Sequence, residues 1–564
     1  MRRSLMSLVV LALLAIAALP VAAAPSGTVN VQLLAVNDFH GNLEPPAGSS
    51  GRIATPSGNV DAGGAEYLAS HIRTLKAQNP NTVVVSAGDL IGASPLLSAL
   101  FHDEPTIEAF NQIGLDFNAV GNHEFDEGAA ELLRMQNGGC HPVDGCQDGD
   151  PFYGANFQFL AANVVRQSNG KTLFPPYKIR SFGAAKIAFI GMTLKGTPTI
   201  VTPAGVAGLT FLDEAATVNA LVPELKAKGV KTIVVLLHEG GAQAAPAPYN
   251  GCVGMSGAIV DIVSHLDPEV DAVISGHTHN AYNCSFDRNS DGKTDLLLTS
   301  AASFGRLVTK VDLTIDRTTG QVVSEQAENK IVTRTVDKAA DLTALIAKYK
   351  TLSAPLANRV IGSITADITT VANAAGESAL GDVIADAQLA ATAPANLGGA
   401  VVAFMNPGGI RANLTYAQIS GGEQPGEVTY AEAFTVQPFG NSLVTKTMTG
   451  DQIRLLLEQQ FNNPAAGQNR FLQVSQGFSY TWSLSAPVGS KVSNITIDGT
   501  PVNPSASYRV TMNSFLATGG DNFTVFNQGT SDLGGAVDTD ALSDYFAGNS
   551  PVPPGAQNRF TVIP

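Results

Sequence analysis

Positive charge is scarce in this chain. Its 33 Lys and Arg stand against 48 Asp and Glu, a formal net charge of −15 over 564 residues. Losing Arg2 and Arg3 with a leader would remove two positive charges and take it to −17. Affinity for nucleic-acid polymers comes from neutralising phosphates with Lys and Arg, so general binding of such polymers is excluded. A small phosphate ester stays within reach wherever metal ions supply the local positive charge.

Long apolar runs are equally rare. The one that stands out is Leu5 to Leu19, which follows Arg2 and Arg3 and precedes Ala22-Ala23-Ala24. That order reads as a signal peptide over residues 1–24, with the mature chain starting near Pro25. No later stretch is long and apolar enough to span a bilayer, and Asn558 to Pro564 has no hydrophobic tail or lipid-anchor signal. The expected protein is soluble and exported, secreted or periplasmic, with no membrane anchor after cleavage. Cysteine is limited to Cys140, Cys146, Cys252 and Cys284. Close spacing pairs 140 with 146 and leaves 252 with 284 as two disulfides. Cys-ligated zinc is the alternative, although neither pair has zinc-knuckle spacing. Internal repeats and low-complexity tracts are also missing.

At this length one core is too little, and two domains are expected. Alternating apolar residues mark a strand from Val29 to Val36, and three more runs, Thr82 to Ser86, Thr232 to Leu237 and Val270 to Ser275, read as buried strands. Between them, Ala65 to Gln78, Pro105 to Ile113 and Val218 to Lys228 carry apolar residues at helical steps. Alternating strands and helices, with polar residues where strands end, build an α/β active site on one rim of a sheet. The amphipathic stretch Lys338 to Leu356 marks the junction, giving a first domain at 25–336, a linker helix at 337–357 and a second domain at 358–564. In that second domain Gly376 to Thr392 and Asp451 to Phe461 read as helices. Val401 to Phe404, Ser493 to Ile497 and Tyr508 to Met512 read as strands.

The strand ends carry the chemistry. Asn37-Asp38-Phe39-His40, Gly88-Asp89, Gly121-Asn122-His123-Glu124-Phe125-Asp126, and His238 with Gly276-His277-Thr278-His279 hold five of the nine histidines. Hydrolysing a phosphate ester needs a nucleophile at neutral pH and positive charge on the phosphoryl oxygens, which two divalent ions about 3.5–4 Å apart supply. Asp89, alone after a buried strand, is the expected bridge. Asp38, His40, Asp89 and His279 are assigned to one ion, and Asp89, Asn122, His238 and His277 to the other. The i, i+2 spacing of Asp38 with His40, and of His277 with His279, puts both side chains on one side of an extended segment. His123 follows a proposed ligand and cannot easily face the same ion. With Asp126 raising its pKa, it is the expected charge stabiliser or proton donor to the leaving oxygen. Mixed N and O donors accept Zn, Mn, Fe or Co.

These blocks resemble the calcineurin-like metallophosphoesterase superfamily, and the chain as a whole resembles the bacterial 5′-nucleotidase family. The resemblance implies a four-layer αββα metallophosphoesterase sandwich and a smaller C-terminal α/β nucleotide-binding domain. It also implies cleavage of nucleoside 5′-monophosphates by in-line attack of metal-activated water. In the second half, Asn406-Pro407-Gly408-Gly409-Ile410-Arg411 is similar to the family's Asn-Gly-Gly-Gly-Ile-Arg, placing Asn406 and Arg411 near the nucleotide. Gln437-Pro438-Phe439-Gly440 and Asn513 to Asp521 match the segments whose two Phe rings, here Phe439 and Phe515, sandwich the base, and the carry-over puts Asp521 on the ribose hydroxyls.

Two departures stand out. No Lys or Arg occurs between Arg359 and Arg411, where the family carries one or two phosphate-binding arginines; Thr370, Val371 and Ala374 occupy that stretch. His279 stands where nucleotidases often have Gln or Asn. Within the same class, a 2′,3′-cyclic-nucleotide phosphodiesterase or a UDP-sugar or dinucleotide pyrophosphatase is the alternative; outside it, an exported nucleotide-binding protein without turnover. Separately, Asp287, Asn289, Asp291 and Asp295 fit the first nine positions of a calcium loop, with Leu298 in place of the terminal Glu. A hairpin turn is the other reading.

Overall fold

Strand Thr28–Val36 serves two layers at once. Val29, Val31, Leu33 and Ala35 pack with Ile187, Phe189, Val234, Leu236 and Ile274 of a second sheet, while Leu34 and Val36 point at helices on the other side. The computed structural model that shows this describes residues 27–46, 48–201, 205–244, 246–286, 288 and 295–563. The expected signal peptide lies outside the described residues.

The first sheet runs in the order Val322–Ile331, Leu307–Asp316, Thr28–Val36, Thr82–Ser86, Phe117–Ala119, Gln158–Leu160. Its last four strands are parallel, and the first two form an antiparallel hairpin against them. The second runs Ala281–Phe286, Leu296–Ala301, Ala272–Ser275, Thr232–His238, Ala185–Thr193, Tyr177–Phe182, parallel at the centre and antiparallel at both edges. Helices Ala65–Lys76 and Glu104–Ile113 cover the first sheet through Leu68, Ile72, Ile107 and Phe110. Helices Glu214–Ala227 and Ala258–His265 cover the second through Val218, Val222, Leu225 and Ile259. The result is the αββα sandwich, with every central strand buried on both faces as parallel strands require.

Helix Ala340–Ala357 is not a free spacer. Leu342, Leu345, Ile346 and Tyr349 belong to the same apolar cluster as the first sheet's helices, and the Tyr349 hydroxyl lies 2.9 Å from Asp148 and 3.1 Å from Glu108. Leu342 is fully buried. Leu342→Ala is therefore expected to cost about 2–5 kcal/mol through lost transfer energy and the cavity left behind. A chemical-denaturation midpoint that does not move would show that this helix only rests on the sandwich.

The remaining strands form a five-stranded sheet, Gln473–Val474, Val402–Met405, Ser507–Asn513, Ser442–Thr449, Thr530–Val537, and a four-stranded one, Thr500–Pro501, Val492–Ile497, Phe478–Ser483, Phe560–Ile563. Helix Gly450–Glu458 packs Ile453, Leu456 and Leu457 on Val402, Phe404, Val510 and Met512. Helix Ala379–Thr392 begins three residues later than its apolar pattern predicts. Gly376 holds a left-handed φ of 95°, and the Ser378 hydroxyl caps the first turn by accepting from the Gly381 N–H at 3.1 Å.

Both expected disulfides are formed, Cys140–Cys146 and Cys252–Cys284. Among the described residues no helix is long and apolar enough to cross a membrane. The strands on either side of the calcium-like segment pair antiparallel, with Phe286 opposite Leu296. Asp287, Asn289 and Asp291 lie outside the described residues, and the Asp295 carboxylate accepts from the Arg288 side chain and backbone N–H at 3.1 Å each.

Candidate metal centre

The parallel strands of both sheets end on one rim, and each end delivers a ligand-type side chain. Asp38 and His40 follow Thr28–Val36, Asp89 follows Thr82–Ser86, and Asn122 follows Phe117–Ala119. His238 closes its own strand, and His277 and His279 follow Ala272–Ser275. All seven converge. Asp38, His40 and His279 form one group and Asp89, His238 and His277 another, with the ligand-capable atoms of each within 4.8 Å of one another. The Asp89 Oδ2 lies 2.9 Å from His238 Nε2 and 3.7 Å from His40 Nε2, facing both groups as a bridge must. Asn122 Oδ1 sits 2.9 Å from His277 Nδ1 and 3.2 Å from His238 Nε2.

The backbone bends sharply to achieve this. Asp38, His40, Asp89, His277 and His279 all adopt left-handed φ, between 48° and 69°. Non-glycine residues in that region cost roughly 1–3 kcal/mol each and persist where the surroundings over-determine them. Here backbone hydrogen bonds tie the loops together: Asp38 N–H donates to Gly88 C=O and His40 N–H to Asp89 C=O, both at 3.0 Å. Gly121 lies so close under Asp89 that a Cβ there would collide with Asp89 Oδ1.

Donor chemistry fits divalent cations. His40 Nδ1 lies 2.8 Å from Gly92 C=O and His238 Nδ1 2.8 Å from Ala87 C=O; a carbonyl only accepts, so both rings carry a proton on Nδ1 and turn Nε2 toward the centre. His40 Nε2 then faces His279 Nε2 at 3.1 Å beside a fully buried Asp38. Burial holds His40 well below its usual range and takes His277 down to about 3, keeping both rings neutral. At His238 burial opposes charge, but Asp89 outweighs it and pushes the ring up to about 10, so a proton stands where a cation would serve.

Beside the two groups, His123 Nδ1 pairs with Asp126 Oδ2 at 2.8 Å. Burial disfavours a charged ring there, yet the charges of Asp126 and Asp89 prevail and raise the pKa. Gly92 makes room for the pair: a Cβ there would collide with His123 C=O, and its φ is 81°. From the second unit, Phe439 stacks on the His123 ring at 5.6 Å and 21°, with the Arg411 guanidinium 5.9 Å from the Phe439 ring. Burial lowers the Arg411 pKa, opposed by the charges of Asp89, Asp126 and Asp38. A cleft of about 990 Å³ opens between the units, lined by Asn42, Phe304, Lys350, Arg411 and Glu432 among others.

Residues 31–281 match the model of the calcineurin-like phosphoesterases, and residues 360–528 match that of the 5′-nucleotidase C-terminal domain. The chain belongs to the 5′-nucleotidase family of metallophosphoesterases. It is a phosphoric ester hydrolase. The cell wall protein Lmo0130 of Listeria monocytogenes is 34% identical over 550 residues, covering 92% of this chain and 67% of the relative. The endonuclease YhcR of Bacillus subtilis is 33% identical over 500 residues, 88% of this chain, and this match spans only 38% of YhcR's length. The crystal structure of a 5′-nucleotidase precursor from Thermus thermophilus superposes with a TM-score of 0.76 at 27% identity, covering 95% of this chain and 99% of that one.

Membership of the 5′-nucleotidase family implies divalent metal ions, which the two buried groups are fitted to hold. The other substrate candidates lie in the second unit. Phe515 lies against Gly520, and the buried Asn406 donates to Asp521 Oδ2 at 2.8 Å and accepts from Asn513 at 3.0 Å. Arg470, which sequence reasoning missed, pairs with Asp521 Oδ1 at 2.5 Å. Glu124 was missed as well. Its buried carboxylate accepts from the N–H groups of Asp89, Leu90 and Gly121 at 2.6–2.9 Å, locking the Asp89 loop. The signal was present, because Glu124 sits inside the block that supplied Asn122 and His123.

Proposed function

We propose that this chain is an exported hydrolase that cleaves nucleoside 5′-monophosphates to nucleoside and phosphate, using two divalent ions. Asp38, His40, Asp89 and His279 would hold one, and Asp89, Asn122, His238 and His277 the other. When bound, the ions supply an activated water and positive charge at the phosphoryl oxygens. The observation that carries the reading is Asp89, whose one carboxylate faces both groups. His123, kept protonated by Asp126, offsets charge on the phosphoryl group or protonates the departing 5′-oxygen. Arg411 brings a fixed positive charge from the second unit, and Phe439 and Phe515 take the base. The chain divides into a catalytic unit at 25–336, the docked helix, and a substrate unit from 358 onward. Export draws support from the leader-like start and from a relative named as a cell wall protein. Metal identity is assigned to the Zn, Mn, Fe and Co class by the mixed N and O donors.

One observation favours a second reading. Without Lys or Arg between Arg359 and Arg411, a monophosphate dianion has a single arginine to meet it. Substrates whose reacting phosphoryl group carries one negative charge instead of two, such as a 2′,3′-cyclic nucleotide or a UDP-sugar or dinucleotide, then gain ground. Substrate consumption and product identity, followed by chromatography for AMP, UMP, a 2′,3′-cyclic nucleotide, NAD and a UDP-sugar, each with Mn, Zn, Co or Ca, decide between them. AMP and UMP leading the panel is expected; cyclic nucleotide or pyrophosphate substrates leading it would replace the first reading with the second.

Phe439→Ala should raise KM for a nucleotide by the roughly 1–3 kcal/mol that stacking contributes per base, with little change for a base-free phosphate ester. Equal effects on both substrates would remove the ring from base binding. Because Ala340–Ala357 is docked on the first unit, the pivot for any movement of the second unit falls beyond it, near Asn358. Full turnover after tethering the two units by an engineered disulfide would eliminate that movement.

A further inference from the structure

A second set of metal-ligating side chains stands outside the centre described above. The ligand-capable atoms of His102, Glu127 and His141 lie within 4.8 Å of one another. The two imidazoles stack at 3.8 Å and 16°, so their in-plane lone pairs run nearly parallel and one ring must turn out of the stack for both to reach a single ion. Asp144 joins them. Its Oδ2 lies 2.9 Å from His102 Nε2 and 3.2 Å from His141 Nδ1, while Glu127 Oε2 lies 2.7 Å from His102 Nδ1. The rings are mostly covered, at 17% and 15% exposure, and the carboxylates are open at 46% and 43%. An ion can therefore enter from solvent and find partly desolvated nitrogens.

We propose that His102, His141, Glu127 and Asp144 form a third divalent-cation site, selective for zinc-like transition ions over calcium or magnesium. The donor set decides the class: two imidazoles with carboxylate oxygens suit Zn, Co or Ni, whereas Ca and Mg call for oxygen ligands throughout. One histidine gives only one nitrogen to an ion. His102 thus uses one ring nitrogen as ligand and keeps a carboxylate on the other, the arrangement that fixes the tautomer and orients a metal-bound imidazole. Two imidazoles and one carboxylate then bind directly, and solvent completes a tetrahedral shell.

The site ties separate segments together. His141 and Asp144 belong to the loop closed by Cys140–Cys146, and His102 precedes helix Glu104–Ile113. Glu127 follows Asp126, the partner of His123. His102 also adjoins Asp103, whose Oδ2 accepts from Gly92 N–H at 2.9 Å, and Gly92 C=O in turn holds His40. An ion here would cross-link the disulfide loop to the two segments that flank the hydrolytic centre, as a structural cation.

Zinc content after equilibrium dialysis, measured by inductively coupled plasma mass spectrometry, tests this. Compared with wild type, His102→Ala combined with His141→Ala should lose about one equivalent of zinc per chain. The doubly substituted chain should also lose part of the zinc-dependent rise in melting temperature, since only binding to the folded state shifts it. Should that variant fold poorly, Glu127→Gln with Asp144→Asn keeps both rings and should show the same loss. Equal zinc content in the wild type and in a folded variant overturns the proposal, and so does an equal gain from calcium. The comparison stands apart from the hydrolytic centre: Asp89→Asn would lower the zinc of both proteins and leave the difference of about one equivalent between them.

Discussion

Asp89→Asn is expected to lower phosphate release by about four orders of magnitude, close to 5.5 kcal/mol of barrier at 1.36 kcal/mol per decade. The size follows from position. Asp89 is the one carboxylate that faces both groups of ligands, 2.9 Å from His238 and 3.7 Å from His40. An amide keeps the shape but gives up the negative charge that two neighbouring cations share. Removing it leaves Asp38 as the remaining carboxylate among the proposed ligands and weakens both sites together. The same charge holds His238 protonated when no cation is present, so the substitution should also let burial pull His238 down. Metal content measured beside activity separates the possible causes. Loss of both is expected, with recovery at high metal concentration only partial. A variant that keeps full metal content and full turnover would show that Asp89 is not the bridge.

Much of this centre was legible in the sequence because strand ends are local. A buried apolar run followed at once by Asp, His or Asn places that side chain on the carboxyl rim of a parallel sheet, whatever the rest of the chain does. Asp38, Asp89, His238 and His277 were each readable in this way, and three helices of the sandwich, Ala65–Lys76, Glu104–Ile113 and Glu214–Ala227, were readable from three- and four-residue steps. The left-handed turns were not. Asp38, His40 and His279 bend against their intrinsic preference, held by bonds such as Phe304 N–H to Asp38 C=O that join distant segments. The polar strand Val322–Ile331 also escaped, because it lies at the sheet edge, where one row of backbone groups pairs and the side chains carry no apolar signal.

The second unit adds a partner that the matched blocks do not contain. Asp521, expected on the ribose, has its carboxylate held by Arg470 and Asn406. Arg470 lies far from every matched block in sequence, and only the fold brings it there. Each Asp521 oxygen carries one of these contacts and keeps further acceptor capacity, so the pairing fixes the carboxylate without closing it to a sugar hydroxyl. Charge missing near Gly376 thus reappears at Arg470, committed to a carboxylate instead of open to a phosphate. Helix Ala340–Ala357 differs in a similar way: its amphipathic pattern gave the helix, but not the fact that its apolar face is spent on the first unit's core.

His123→Ala should reduce kcat by about 10²–10⁴-fold, the range that a positioned general acid or base contributes, while metal content stays at the wild-type level. Retained metal is the distinguishing readout, since the His123 ring belongs to neither group of ligands, and only its backbone N–H touches Asp89 Oδ1, at 2.9 Å. Asp126→Asn should give a smaller loss. It removes the largest of the interactions that raise the pKa of His123, so burial gains weight and the ring becomes less protonated at neutral pH. Activity of that variant should therefore recover as pH falls, up to the point where metal ligands protonate. Phe439 stacks on His123, so the alanine variant also loosens the ring proposed to hold the base and should raise KM for nucleotides more than for base-free esters. An exported binding protein without turnover would behave differently: nucleotide affinity would persist, and no hydrolysis would be present to lose. Unchanged kcat in a metal-loaded His123→Ala protein would confine this pair to holding the turn, and the proton for the leaving oxygen would have to come from elsewhere.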